Sequence, residues 1–181
     1  MQQTVGRTPR IAYLEALLTI KKPNLTNQSM NEFYKILDGA LKLQIAYSKT
    51  LDSGFSYYSK LNPDFLFSIA ELYLRPVSMK EMIDGNENSN PSGPVGKGIK
   101  LLESINRQIP GFLPAYLLLA KGKLAVGNDL DAGLAITKVL QIDSRNEEGS
   151  ILNAMIRNKK KDFDAAINSL QEAISINFKI R

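Results

Sequence analysis

The chain contains no cysteine, no histidine and no tryptophan in its 181 residues. Without Cys there are no disulfides, no thiolate nucleophile and no Cys-ligated zinc; without His the commonest general base and metal ligand is missing. The absence of Cys is compatible with a reducing compartment. The apolar part of Met1 to Lys22 is too short and too interrupted for a signal peptide or a membrane span. The net charge of +5 is spread along the chain, which suits a solvated surface better than a dedicated nucleic-acid face. No acid pair stands at a recognisable site, so neither an enzyme nor a catalytic residue, metal, cofactor or small-molecule substrate is expected. What is abundant is apolar side chain, 44% of the residues, the content of a globular protein.

Those apolar residues recur at a fixed offset. Ala120, Ala132, Ile136, Val139, Leu140 and Ile142 reappear as Ala154, Ala166, Leu170, Ala173, Ile174 and Ile176, each 34 positions later. A period of about 34 residues is that of the tetratricopeptide repeat, a hairpin of helix A, turn and helix B. Small residues sit where the two helices cross, and larger ones fill the seam between hairpins. One such unit cannot bury its apolar face alone, so units stack and present an extended surface to partners. The expectation is an all-α tetratricopeptide-repeat superhelix whose function is binding.

Helical periodicity runs from end to end, and no stretch shows the strict alternation of a strand. Residues 1–60 read as a degenerate hairpin, with helices Pro9 to Ile20 and Met30 to Tyr47 around a polar turn. Residues 61–110 read as one repeat. Asn62, Pro63 and Asp64 start its helix A, and Leu66, Ile69, Ala70 and Tyr73 carry the large, large, small, aromatic spacing. Gly98, Leu102 and Ile105 belong to its helix B, with Pro110 after it. The crossing residues Ala70 and Gly98 are 28 apart, against 12 for Ala120 and Ala132. The difference is a loop at about 84–96, rich in Gly, Asn, Ser and Pro. Residues 111–144 form a regular repeat with its turn at Gly127–Asn128. Residues 145–181 form the last, with its turn at Lys159 to Asp162 and no capping helix after it.

Helical spacing places Leu117, Lys121 and Leu124 on one helix A stripe of the concave face, and Ile151, Met155 and Asn158 on the next. This stripe either takes a helix or extended segment of a partner or touches a neighbouring turn of the same superhelix. Co-chaperones of this fold hold a peptide carboxylate with Lys and Asn four residues apart here; Leu117 and Lys121 occupy those places, so that clamp is missing. The basic run Arg157, Lys159, Lys160 and Lys161 either complements the dipole of a helix end or docks an acidic partner or anionic headgroups. No aromatic residue interleaves with it, which argues against nucleic acid. The Gly-rich run Gly93 to Gly98 departs from a phosphate loop, with Pro91 where Gly is required and Gly98 where Ser or Thr is. At the end of the chain Leu170, Ile174 and Phe178 form an uncovered apolar face, a surface that partners or further repeats would cover.

The segments Leu61–Leu66 (LNPDFL), Leu101–Leu113 (LLESINRQIPGFL) and Asn177–Arg181 (NFKIR) are not demanded by repeat geometry. With the long inter-helix loop they resemble the large tetratricopeptide-repeat subunit of intraflagellar transport complex A, from about Tyr13 to Arg181. Lys161 and Asn153 depart from the repeat, standing where apolar or small residues are usual. The resemblance implies a scaffold whose partners are other protein subunits, with no direct membrane insertion. It also implies retrograde transport and cargo entry, in the cytoplasm, the cilium or flagellum and its base. The alternative is a free-standing adaptor or co-chaperone that binds a partner peptide in its concave groove.

Overall fold

The computed structural model describes residues 8–21, 26–49, 62–75, 77, 79–85 and 92–179, and of 49, 79 and 176–179 the backbone only. Every element among them is a helix. The order is α1 (Pro9–Ile20), α2 (Asn27–Lys49), α3 (Pro63–Leu74), α4 (Met79–Asp84), α5 (Pro94–Gln108), α6 (Leu113–Ala125), α7 (Asp129–Ile142), α8 (Glu147–Lys159) and α9 (Phe163–Lys179). The protein is an all-α repeat solenoid.

Side-chain oxygens cap most of these helices, satisfying amides that have no partner within the helix. Thr8 accepts from the Ile11 N–H at 3.3 Å, Thr26 from Ser29 at 3.2 Å and Asn62 from Phe65 at 3.2 Å. Asn128, Asn146 and Asp162 do the same for Asp131, Gly149 and Ala165. The Thr26 cap starts α2 three residues before the Met30 expected from apolar spacing.

The fold divides into two compact units, Met1–Ile69 and Ala70–Arg181, with the boundary inside α3. In the first, α1 packs on α2 and buries Ala12, Ala16, Phe33, Leu37 and Ala40. The Tyr13 ring meets Phe65 edge-on, with centroids 5.3 Å apart. In the second, α5 packs on α6, α6 on α7, α7 on α8 and α8 on α9, while α4 lies against α6. The small residues Ala120, Ala132, Ala154 and Ala166 are all buried, as are Leu102, Ile105, Leu124, Ile136 and Val139.

The 34-residue offset extends from side chains to the backbone. The Val126 N–H donates to Gly122 O and the Lys160 N–H to Ile156 O, both at 3.2 Å. Gly127 donates to Leu124 and Asn128 to Lys123; one period on, Lys161 donates to Asn158 and Asp162 to Arg157. This paired bonding closes a helix C-terminus around a left-handed residue. Gly127 supplies it at φ 76° and Lys161 at φ 62°.

The inter-helix insertion differs from its sequence reading. A short helix, α4, precedes it, and α5 already starts at Pro94, inside the expected loop. Proline's fixed φ suits a first helical turn that needs no N–H, so 94–96 are helical. Positions 86–91 of the loop lie outside the described residues.

The turn at Lys161 gives a direct test. Glycine adopts left-handed φ without the steric cost that lysine bears there. Lys161→Gly should therefore stabilise the protein by about 0.5–1 kcal/mol, and Gly127→Ala should destabilise it by about 1–2 kcal/mol. Urea denaturation of the two variants and the parent checks both signs; a destabilised Lys161→Gly protein would contradict the turn geometry.

Candidate partner-binding site

A cleft of about 430 Å³ opens between the end of α3, α4, α6 and α8. Its floor is apolar, built from Leu74, Leu118, Ile151, Leu152 and Met155, with Met82 of α4 as one wall. Ile151, Leu152 and Met155 follow a spacing of one and four positions, which puts them on one side of α8. Charged groups rim the floor. Glu71 lies on the last turn of α3 and Arg75 just beyond its end, and Lys121 of α6 is paired with Glu148 of α8. That pair bridges two helix A elements and spends the cation which a peptide carboxylate would need.

Three of the six concave-face residues named from the sequence, Lys121, Ile151 and Met155, lie on this cleft. Leu124 does not: it has no exposed surface and belongs to the core. Three residues after Lys121, it has turned past the cleft edge into the seam between helices. Leu117 is half-buried and outside the lining, on the helix against which α4 packs. Asn158 is exposed and also outside it. Leu118, Met82 and Glu148 were missed. Leu118 is one step from the predicted stripe, whereas Met82 comes from an insertion with no repeat register.

The basic turn is largely engaged within the chain. Lys159 donates to Asp129 Oδ1 at 2.9 Å with its side chain only 15% exposed, tying α8 to the start of α7. Arg157 reaches Asp162 at 3.5 Å. Of the four cations, Lys160 and Lys161 are exposed and have no ion pair among the described residues, so a four-residue docking cluster is not what the structure presents. Lys159 is drawn to the acid that opens the preceding helix B, and Arg157 is held within its own turn.

On α9, Leu170 and Ile174 are 43% and 55% exposed, and Phe163 and Ile167 extend the same side. The Phe178 side chain lies outside the described residues. One period earlier the Leu170 position is Ile136, 1% exposed, and two periods earlier Leu102, fully buried. Those two sit on helices followed by a packed neighbour, α8 and α6 respectively.

The model of the tetratricopeptide repeat protein 21 second ARM domain family matches residues 1–161. The chain belongs to this family. It is 29% identical over 182 aligned positions to tetratricopeptide repeat protein 21B of Homo sapiens, covering all of this chain and 13% of that protein. Identity to the Mus musculus protein of the same name is 28%, over 99% of this chain and 13% of the relative. With tetratricopeptide repeat protein 21A of Mus musculus it is 23%, again over the whole chain and 13% of the relative. The chain thus spans about an eighth of the length of these curated relatives. Its family is one of repeat scaffolds. Among the described residues no helix is long and apolar enough to cross a membrane, and no group of His, Cys, Asp or Glu could hold a metal ion.

Among the ion pairs of the described residues, the most enclosed group is Lys123 of α6, with its side chain 12% exposed. It reaches Glu103 of α5 at 2.6 Å and Asp131 of α7 at 3.0 Å, joining three consecutive helices. Burial disfavours its charged form, yet the hydrogen bonds to Glu103 and Asp131 outweigh burial and raise its pKa. The Lys123 hydrogen bond holds the Asp131 carboxyl below its usual value. A lowered carboxyl stabilises the fold above its unfolded-state pKa, near 4, and that contribution fades as pH falls through the folded value. The raised Lys123 contributes fully below its unfolded-state pKa and loses its share as pH rises through the folded one. Lys123→Met should leave two carboxylates facing each other and cost about 1–3 kcal/mol at neutral pH. Its penalty should shrink on acidification, as protonation relieves the stranded acids. Chemical denaturation at pH 7 and pH 4 checks this; a penalty that grows in acid would contradict the assignment.

Proposed function

We propose that this chain is a non-catalytic scaffold segment of an intraflagellar transport complex A subunit. In this reading it binds other subunits of that complex and acts in retrograde ciliary transport and in the entry of cargo into cilia. Its places of action are the cytoplasm, the cilium or flagellum and its base. The observation that carries the reading is the family match over residues 1–161. The LNPDFL and NFKIR segments support it, since repeat packing alone does not require them. Partners are proteins; neither nucleic acid nor inserted lipid is called for.

The cleft over Ile151 and Met155 is the proposed docking place for a partner segment, because an apolar floor with a paired-charge rim suits a buried side chain. Ile151→Glu, at a half-buried position, should lower co-purification with the complex's other subunits at least about tenfold, since burying a charge costs several times the value of one apolar contact. The chain should keep its melting behaviour. Unchanged co-purification would move the docking place elsewhere.

A second reading, a free-standing adaptor with a peptide in the same cleft, draws on the cleft's volume. The Lys121–Glu148 pair and Leu117 at the clamp position weigh against acidic C-terminal peptides as its ligands. Titration with such peptides separates the two readings.

The exposed side of α9 is proposed as the seat of a following helix or of another chain, as α6 and α8 cover the equivalent positions. The 181-residue chain on its own should self-associate at high micromolar concentration. Light scattering that shows a monodisperse monomer would count against this.

A further inference from the structure

Two leucines lie on the solvent side of α7. Leu130 is 76% exposed and Leu134 68%. Isolated surface leucines are common and need no explanation, so the repeat itself supplies the control. One period from Leu134, the same place holds Lys100 on α5 and Asn168 on α9, both exposed. One period after Leu130 it holds exposed Asp164. The fold therefore accepts polar residues at these positions, and the middle repeat alone sets two leucines one turn apart.

Beside them lies a hollow of about 240 Å³, floored by Leu119 and Ala135 and flanked by Tyr116 and Leu134. Lys138, one turn beyond Leu134, stands at its edge. Its ammonium donates to Gln141 Oε1 at 3.2 Å and meets no carboxylate among the described residues. Lys123, Glu103 and Asp131 also line the hollow, where the two carboxylates are held by the Lys123 ammonium. Leu130, Leu134 and Lys138 thus form one stripe, two apolar positions and then an unspent cation, at helical spacing.

We infer that this stripe is a second protein-docking surface, separate from the cleft, and that it takes an amphipathic α-helix of another polypeptide. That helix carries two apolar side chains one turn apart and a carboxylate one further turn along, opposite Lys138. The leucines and the hollow give affinity, and the charge sets register. The inference rests on α7 and its repeat equivalents, not on the ciliary reading, and stands or falls separately from it.

The test uses the chain itself and synthetic helical peptides of about 18 residues, long enough to be helical. Each has two leucines one turn apart and a glutamate one turn before or after them; matched peptides carry lysine instead. Fluorescence anisotropy should show one glutamate register binding. Leu134→Asp should weaken it by roughly tenfold or more, as expected for losing a buried leucine. Asn168→Asp, at the equivalent place on α9, should leave it unchanged. Lys138→Glu should weaken the glutamate peptide about threefold and strengthen the lysine peptide, the size of an exposed ion pair. No binding by any peptide, equal loss in Leu134→Asp and Asn168→Asp, or indifference to both Leu134→Asp and Lys138→Glu would overturn the proposal.

Discussion

The close crossing of helices at small side chains is the constraint on which the second unit depends. A Cβ added at Gly149 would stand 2.9 Å from Val139 Cγ1, and one at Gly98 would stand 3.0 Å from both Tyr73 Cβ and Leu74 Cγ. These separations leave no room for a methyl group without movement of the packed neighbour. Together with buried Ala120, Ala132, Ala154 and Ala166, they set how near each helix comes to the next. The caps, the stacked turns and the cleft all inherit their positions from that spacing. Lys159 can reach Asp129 across one period because the helices are this close.

How much was readable from the residues alone follows from where the repeat speaks. The offset pointed to helix hairpins over 111–144 and 145–181, since identical packing demands small and large residues at identical places. Asn128 and Asp162 were readable as turn residues for the same reason, but their capping bonds were not. Periodicity was silent about α4, which belongs to no repeat, and about Pro94 opening α5 within a stretch whose composition reads as loop. The candidate site was legible in half. A helix stripe can be drawn from spacing, but its width depends on neighbours. Leu124 fell inward and Leu118 outward because the facing helices, not the wheel, decide which residues meet solvent. Ion pairing was harder still. Lys159 is 30 positions from Asp129, and nothing local marks the two as partners.

One buried amide shows a different limit. Asn106, 7% exposed, has no partner for either side-chain polar atom among the described residues, while Leu140 and Ile174 hold the same place in the next two repeats. A buried, unpartnered amide costs about 1–3 kcal/mol. The irregular repeat thus carries a local penalty as well as an insertion, whereas the two repeats after it hold apolar residues at that place.

The turn-by-turn identity of the hydrogen bonds has a consequence for how the molecule comes apart. When each hairpin is held chiefly by the one before and the one after, unfolding behaves as a row of coupled units, not as a single switch. Among the described residues, α7 packs on both α6 and α8, whereas α9 packs on α8. In the 181-residue chain taken by itself, opening should start at α9, so that amide protection climbs from α9 through α8 and α7 toward α6. In such a row, a neighbour docked against α9 would add more than its own contact area. It would give α9 a second packed side and raise the cooperativity of every hairpin behind it.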